Sequence, residues 1–349
     1  MAKSIYEVVT SKEIASYWNV AKQYRDPYFG ESKFPALKKL GLDLSWIKGA
    51  RKAPVALQLS AFDAKAIPLS RQGFEKMITE MPFFKNSMNI DEKQRQELNI
   101  ILASGNQAMI DLVVNNIYND KITLLENANL AMEMMRMQVL TTGMVSIASN
   151  GQTYSYDYGV PANHKVTPNV KWDADGADPV ADINAWLDLV EQETGTRPTE
   201  ILINSVTLTK LGKVASIQDA IYVFAQGAVS VTRERVKSYI EGETKTTIYV
   251  YNKGYAHPDT GAFTKFVPDG TVVLMPEGKL GNTYFGTSPE ESDLMAGATS
   301  AEVTIVDTGV AITTHKEVDP VNVQTKASMI CLPSCELADQ IVIASVFNG

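Results

Sequence analysis

Between Asp91 and Leu140 the apolar residues recur in steps of three and four. The first run is Leu98, Ile101, Leu102, Met109, Leu112, Val113 and Ile117; the second is Leu124, Leu125, Ala128, Ala131, Met132, Met135 and Val139. Such steps lay one apolar stripe along a helix. Gly105 and the polar run Asn115 to Asp120 are candidate breaks, so a terminal helix is expected over about 121–141, about 30 Å long at 1.5 Å per residue. Gly143 is placed to end it in the left-handed conformation. Met144 to Ala148 and Gln152 to Tyr158 then alternate around Asn150-Gly151, the preferred pair of a two-residue hairpin turn.

Elsewhere the pattern changes character. Residues 1–44 carry scattered anchors (Tyr17, Trp18, Tyr28, Phe29, Phe34), with Tyr6, Val9 and Ile14 suited to one short helix. They are too sparse for a core and must pack on the rest of the chain or on another copy. Residues 45–90 show short alternations, Val55-Leu57-Leu59 the clearest, cut by Pro54, Pro68, Gly73 and Pro82. This suggests a two-stranded excursion, which is marginal alone. From Ala177 the texture is α/β. A helix runs through Ile183, Trp186, Leu187 and Val190 to Gly195, and a buried strand lies at Ile201 to Asn204. Helices are expected at Val206 to Leu211 and Ile217 to Phe224, strands at Thr247 to Tyr251 and Thr271 to Met275, and 301–347 is strand-rich. The fold class is α+β.

Composition removes several classes of function. The 349 residues are 45% hydrophobic and 21% charged, with 40 acidic against 32 basic side chains and a formal charge of −8. That balance argues against a dedicated nucleic-acid binder, which needs a local surplus of Lys and Arg. No stretch approaches the roughly 18–20 apolar residues that span a bilayer, and the first ten residues do not resemble a secretory signal. No membrane association is expected, and a cytoplasmic origin is.

Candidate chemistry is thin. His164, His257 and His315 are far apart in sequence and form no HExxH or HxxxH pair. There is no GxSxG elbow or GxxxxGK[ST] loop, and Gly278, Gly281 and Gly286 read as turn glycines. Cys331 and Cys335 have neither redox nor zinc spacing and read as small buried hydrophobes. Asp173, Asp175 and Asp178 mimic a calcium loop, but the glycine is fourth and Ala185 stands at the twelfth position, where such a loop needs Glu. Asp178 as a helix cap, with Pro179 first in the helix and Asp182 in its first turn, explains those residues better. No catalytic, cofactor or metal residue is assigned, and the chain is not expected to be an enzyme.

Four stretches carry a resemblance. They are APVALQLSAFDAKAIPLSRQGFEKMITEMPFF with Arg71-x-Gly73, the Trp172 to Trp186 region with Asp178-Pro179, PDGTVVLMPEGKLGNTYFG, and the terminal GVAITTHKEVDPVNVQTKASMICLPSCELADQIVIASV. In this order the chain resembles the lambda-type phage major capsid protein E family. The resemblance implies the Hong Kong 97-type capsid fold: an N-terminal arm (1–44), an E-loop (45–90), a P-domain with the spine helix (91–176), an A-domain (177–300), P-domain return strands (301–333) and a final A-domain strand (334–349). It also implies a virion protein that assembles with itself into pentamers and hexamers of an icosahedral head. Scaffold, portal and decoration proteins would be its partners, and it would enclose double-stranded DNA without specific recognition. Arg51, Lys52, Lys65, Arg71, Tyr28 and Phe29 are the expected intersubunit contacts. An encapsulin-like compartment, another virion subunit and an α/β enzyme built on 177–300 are the alternatives.

Overall fold

The computed structural model describes residues 10–48, 75–90, 92–149, 152–225, 231–256, 260–297, 301–318 and 321–347. In chain order the helices are α1 (Ser11–Ala21), α2 (Phe29–Lys33), α3 (Glu92–Ser104), α4 (Gln107–Thr142), α5 (Pro179–Thr194), α6 (Ser205–Leu211), α7 (Ala215–Ala225), α8 (Arg233–Thr244) and α9 (Pro289–Ala296). The strands are β1 (Ala36–Lys38), β2 (Asp43–Lys48), β3 (Glu75–Glu80), β4 (Phe83–Ile90), β5 (Met144–Ser149), β6 (Gln152–Asp157), β7 (Lys165–Val166), β8 (Glu200–Ile203) and β9 (Thr247–Val250). They continue with β10 (Gly254–Ala256), β11 (Phe263–Lys265), β12 (Thr271–Met275), β13 (Thr283–Phe285), β14 (Glu302–Val306), β15 (Val310–Val318), β16 (Val321–Pro333) and β17 (Val342–Ser345). The chain divides into two compact units, Met1–Ser45 with Ile78–Glu133 and Asn282–Pro333, and Trp46–Met77 with Met134–Gly281 and Ser334–Gly349.

The first unit is organised by β16. One of its edges pairs antiparallel with β15, from Ala311↔Ser328 to Val318↔Val321. The other pairs first with β4, from Val323↔Ile90 to Ile330↔Phe83, and then with β13, from Cys331↔Phe285 to Thr283↔Pro333. Strand β14 extends the sheet beyond β15, and β1 lies parallel to β13 at the opposite end. A thirteen-residue strand can serve three partners because its side chains alternate between faces while its backbone offers groups to both edges.

The second unit holds a mixed sheet in the order β7-β17-β12-β8-β9. Every residue of β8 is buried, as expected for a central strand covered on both faces. Trp172, Trp186, Leu187, Val190, Ile201 and Ile248 belong to one core cluster. Trp172 stacks on Trp186 at 5.9 Å and meets the edge of Phe347 at the same distance, geometries that aromatic quadrupoles favour.

Several expectations hold locally. Asp178 caps α5 by accepting from the Ala181 N–H at 3.1 Å, Pro179 opens the helix, and Gly195 closes it at φ +72°. The β5–β6 register ends at Ser149↔Gln152, which requires the two-residue connection that Asn150-Gly151 suits, although that pair lies outside the described residues. The long helix differs from its expected 121–141. It begins at Gln107 and passes through Asn115 to Asp120 without a break, whereas Gly105, at φ +69°, does separate it from α3. Consecutive backbone hydrogen bonds tolerate polar residues that face solvent, so the polar run interrupts the stripe and not the helix. Helices α8 and α9 were not expected. The buried stripe of α8 is Val236, Ile240 and the polar Thr244, and Gly242 dilutes its pattern. α9 follows a cap signature, Ser288-Pro289-Glu290-Glu291.

Candidate assembly surfaces

The N-terminal segment is anchored on its own chain. Thr10 caps α1 and exchanges hydrogen bonds with Glu13, and Ile14 and Trp18 on one face are each 1% exposed. Trp18 Nε1–H donates to Asp307 Oδ2 at 3.1 Å, Lys22 pairs with the same carboxylate, and the hydroxyls of Ser11 and Thr304 meet at 2.7 Å. Tyr17 stacks on Tyr118 at 5.6 Å, its hydroxyl donates to Asn119, and Tyr118 donates to Glu13. Between packing on the rest of the chain and packing on another copy, α1 takes the first.

Of the expected contact residues, Tyr28 and Phe29 are half-buried beside a charged cluster. The Arg25 guanidinium lies over the Tyr28 ring at 4.8 Å, and Lys33 lies over Phe29 at 5.7 Å. The Gly30 N–H donates to buried Glu133 at 3.0 Å, and Arg25 pairs with Glu31. Burial raises the Tyr28 hydroxyl pKa, against the opposing pull of Arg25. The other four, Arg51, Lys52, Lys65 and Arg71, lie outside the described residues. What is described of 45–90 is the pairing of β2 with β3 and of β4 with β16.

Exposed apolar side chains mark further surfaces of the first unit. Leu40 is 74% exposed and flanked by exposed Leu37 and Leu42, at a turn whose Gly41 carbonyl accepts from the Thr287 N–H. Ile100, Met109 and Leu112 stand out on α3 and α4. The sequence places Met109 and Leu112 on an apolar stripe, yet nothing in the sequence says that the first part of that stripe lies in solvent.

Polar chemistry is used structurally. His164 is fully buried, with Nε2 at 3.0 Å from Glu193, which also accepts from Asn163. His315 is half-buried in β15 opposite Gln324, and His257 lies outside the described residues. Cys331 and Cys335 are buried and form no disulfide. Asp182 accepts from Trp172 Nε1–H at 2.8 Å, so Asp178 and Asp182 serve to cap α5 and to fix a core tryptophan. Among the described residues no cluster of His, Cys, Asp or Glu could hold a metal ion, and no helix is long and apolar enough to cross a membrane. A Cβ at Gly281 would sit 2.0 Å from the Ser334 carbonyl oxygen and one at Gly286 2.7 Å from that of Gly41, so these glycines serve close backbone approach.

One buried and one half-buried charge tune the first unit. Lys121 is 2% exposed and donates to the Met88 carbonyl at 2.9 Å; burial pulls its pKa from 10.5 to about 8, with Asp120 opposing. Burial tends to raise the Glu290 pKa, but the Lys326 ammonium at 2.5 Å and further hydrogen bonds, from the backbone and from Ser328, together hold it below the usual value. Both secure elements to the β4–β16 sheet or to α9.

Comparison with known proteins gives a consistent picture. A family model described as phage major capsid protein E matches residues 10–346. No curated sequence matches. Among solved structures, the chain is similar to a candidate capsid protein from a prophage of Escherichia coli CFT073, at 14% identity and a TM-score of 0.61, covering 97% of this chain and 99% of that one. It is also similar to a phage-related protein from Bordetella bronchiseptica RB50, at 12% identity and a TM-score of 0.55, covering 97% of each chain. The capsid of cyanophage A-1(L) gives 12% identity and a TM-score of 0.50 over 90% of each.

Proposed function

Because the chain belongs to the phage major capsid protein E family, and is thus a structural protein of the phage capsid with the Hong Kong 97-type fold and not an enzyme, we propose that it forms closed icosahedral heads from pentamers and hexamers of itself. The observation that carries this reading is the family match over residues 10–346, which spans both compact units. Scaffold, portal and decoration proteins are its proposed partners. The head would enclose double-stranded DNA without specific recognition, after synthesis of the subunit in the host cytoplasm.

Within that role, residues 1–44 act as the N-terminal arm and 45–90 as the E-loop. Residues 91–176 with 301–333 act as the P-domain, and 177–300 with 334–349 as the A-domain. Arg51, Lys52, Lys65 and Arg71 meet acidic groups of neighbouring copies, and the half-exposed rings of Tyr28 and Phe29 add apolar area. Single exposed ion pairs contribute only about 0–1 kcal/mol. Their effect in a shell comes from repetition over a closed symmetric assembly. A net charge of −8 suits a container that must release its DNA, since strong attraction to phosphate would hold the genome on the wall.

The test is to express the full chain, alone and with its neighbouring head genes, and to image the product by electron microscopy. Closed shells or capsomers are expected. A small discrete soluble oligomer under both conditions would overturn the reading.

A further inference from the structure

From Glu92 to Asp120, no side chain whose exposure is described is buried. Burial starts abruptly at Lys121 and Ile122. This stretch comprises all of α3 and the first fourteen residues of α4, each about 20 Å of helix. Helices of such length are marginal in water and owe their stability to packing of an apolar face. The composition sharpens the point. Residues 107–119 contain one charged residue, Asp111, against Met109, Ile110, Leu112, Val113, Val114 and Ile117. Met109 is 51% exposed, Leu112 63% and, on α3, Ile100 64%. An apolar helix face, here opposite the polar row Gln107, Asp111, Asn115 and Asn119, calls for burial against other protein. Helix α1 docks only where the exposed stretch ends, at Tyr118 and Asn119.

We infer that the first half of α4, with Ile100 of α3, is an interface buried by a second copy of this chain. This rests on the capsid reading, and three observations point to a second copy. Residues 107–119 are nearly uncharged, the composition of permanent interfaces between identical chains more than of transient docking sites. The chain belongs to a family whose members work as repeated copies in a shell, so another subunit is the surface each copy meets throughout its life. Contacts that close a ring of identical subunits, such as a pentamer or hexamer, are heterologous, joining two different patches. The first unit carries a second apolar patch, Leu37, Leu40 and Leu42, able to receive the helix.

The experiment uses Leu112→Cys in the full chain, where the native Cys331 and Cys335 are buried and slow to react. Labelling by a small maleimide is followed in unassembled subunits and in purified particles. The introduced thiol is expected to react freely in the former and about tenfold or more slowly in the latter. Equal reactivity in both overturns the inference. So does protection in both, which would mean that the chain covers its own helix. A Leu112→Glu variant is expected to keep the thermal transition of the unassembled subunit and to lose particles; undiminished particle yield overturns the inference as well. Wild-type chain that forms no particles under any condition defeats the shell reading and this one together, whereas particles with an exposed thiol defeat this one alone.

Discussion

Replacing Lys121 by Met tests how much the first unit loses by burying a charge. The ammonium sits 2% exposed at the point where α4 enters the interior, with the Met88 carbonyl of β4 as its hydrogen-bond acceptor at 2.9 Å. A pKa of about 8 in place of 10.5 means that the folded chain disfavours the charged form by about 3 kcal/mol relative to the unfolded chain. Methionine fills a similar volume and removes that cost, while forfeiting a charge-assisted hydrogen bond worth about 1.5–3 kcal/mol. The variant should therefore be equal to the wild type or about 1 kcal/mol more stable at pH 7. The pH dependence is the sharper readout. Between pH 8 and 10.5 the unfolded wild type still holds a proton that the folded wild type has released, so folded stability rises with pH across that window. The variant lacks this gain. Its advantage at pH 7 should shrink and reverse by pH 10, with a total swing of up to about 3 kcal/mol. Tyr28, Tyr118, Tyr239 and Tyr249, whose pKa values are raised, oppose the gain above pH 10 in both proteins and cancel in the difference. Urea unfolding of unassembled subunits at pH 7, 8, 9 and 10 measures the difference directly. A gap between the two proteins that does not vary with pH would refute the reasoning, because it would mean that Lys121 titrates alike in both states.

Three further substitutions probe separate supports. Gly281→Ala forces a Cβ to 2.0 Å from the Ser334 carbonyl oxygen; moving backbone should cost about 3 kcal/mol or more and lower the soluble yield, and a thermal transition like that of the wild type would contradict the close approach. Asp178→Ala removes the cap of α5 and should cost about 1 kcal/mol in urea unfolding, with Asn at the same position restoring most of it. Lys326→Met leaves Glu290 half-desolvated without its cation and should cost about 1–3 kcal/mol at neutral pH. In the wild type that contribution is present above the unfolded-state pKa near 4.5 and is lost as pH falls through the lower folded value; the variant should be correspondingly less sensitive to acid, and identical acid midpoints would count against the pair.

Local chemistry was legible in the chain wherever a few neighbouring residues decide the outcome. The Asp178-Pro179 start and Gly195 stop of α5, the two-residue β5–β6 connection and the buried run of β8 depend on capping, turn conformation and apolar continuity, all confined to short windows. The signature Ser288-Pro289-Glu290-Glu291 was equally local and passed unread, while α8 was hidden because its buried stripe holds little more than Val236 and Ile240. The order of the parts along the chain also identified the family and the fold. The sequence could not say that α4 continues through Asn115 to Asp120, that Trp18 finds its partner 289 residues away at Asp307, or that one strand, β16, serves β15, β4 and β13. Nor could it say which half of the stripe on α4 is covered. Apolar periodicity states only that a face wants burial; whether distant chain arrives to cover it is settled by tertiary packing. Beyond Lys121 this chain covers the stripe itself, and before it the face is left to a neighbour.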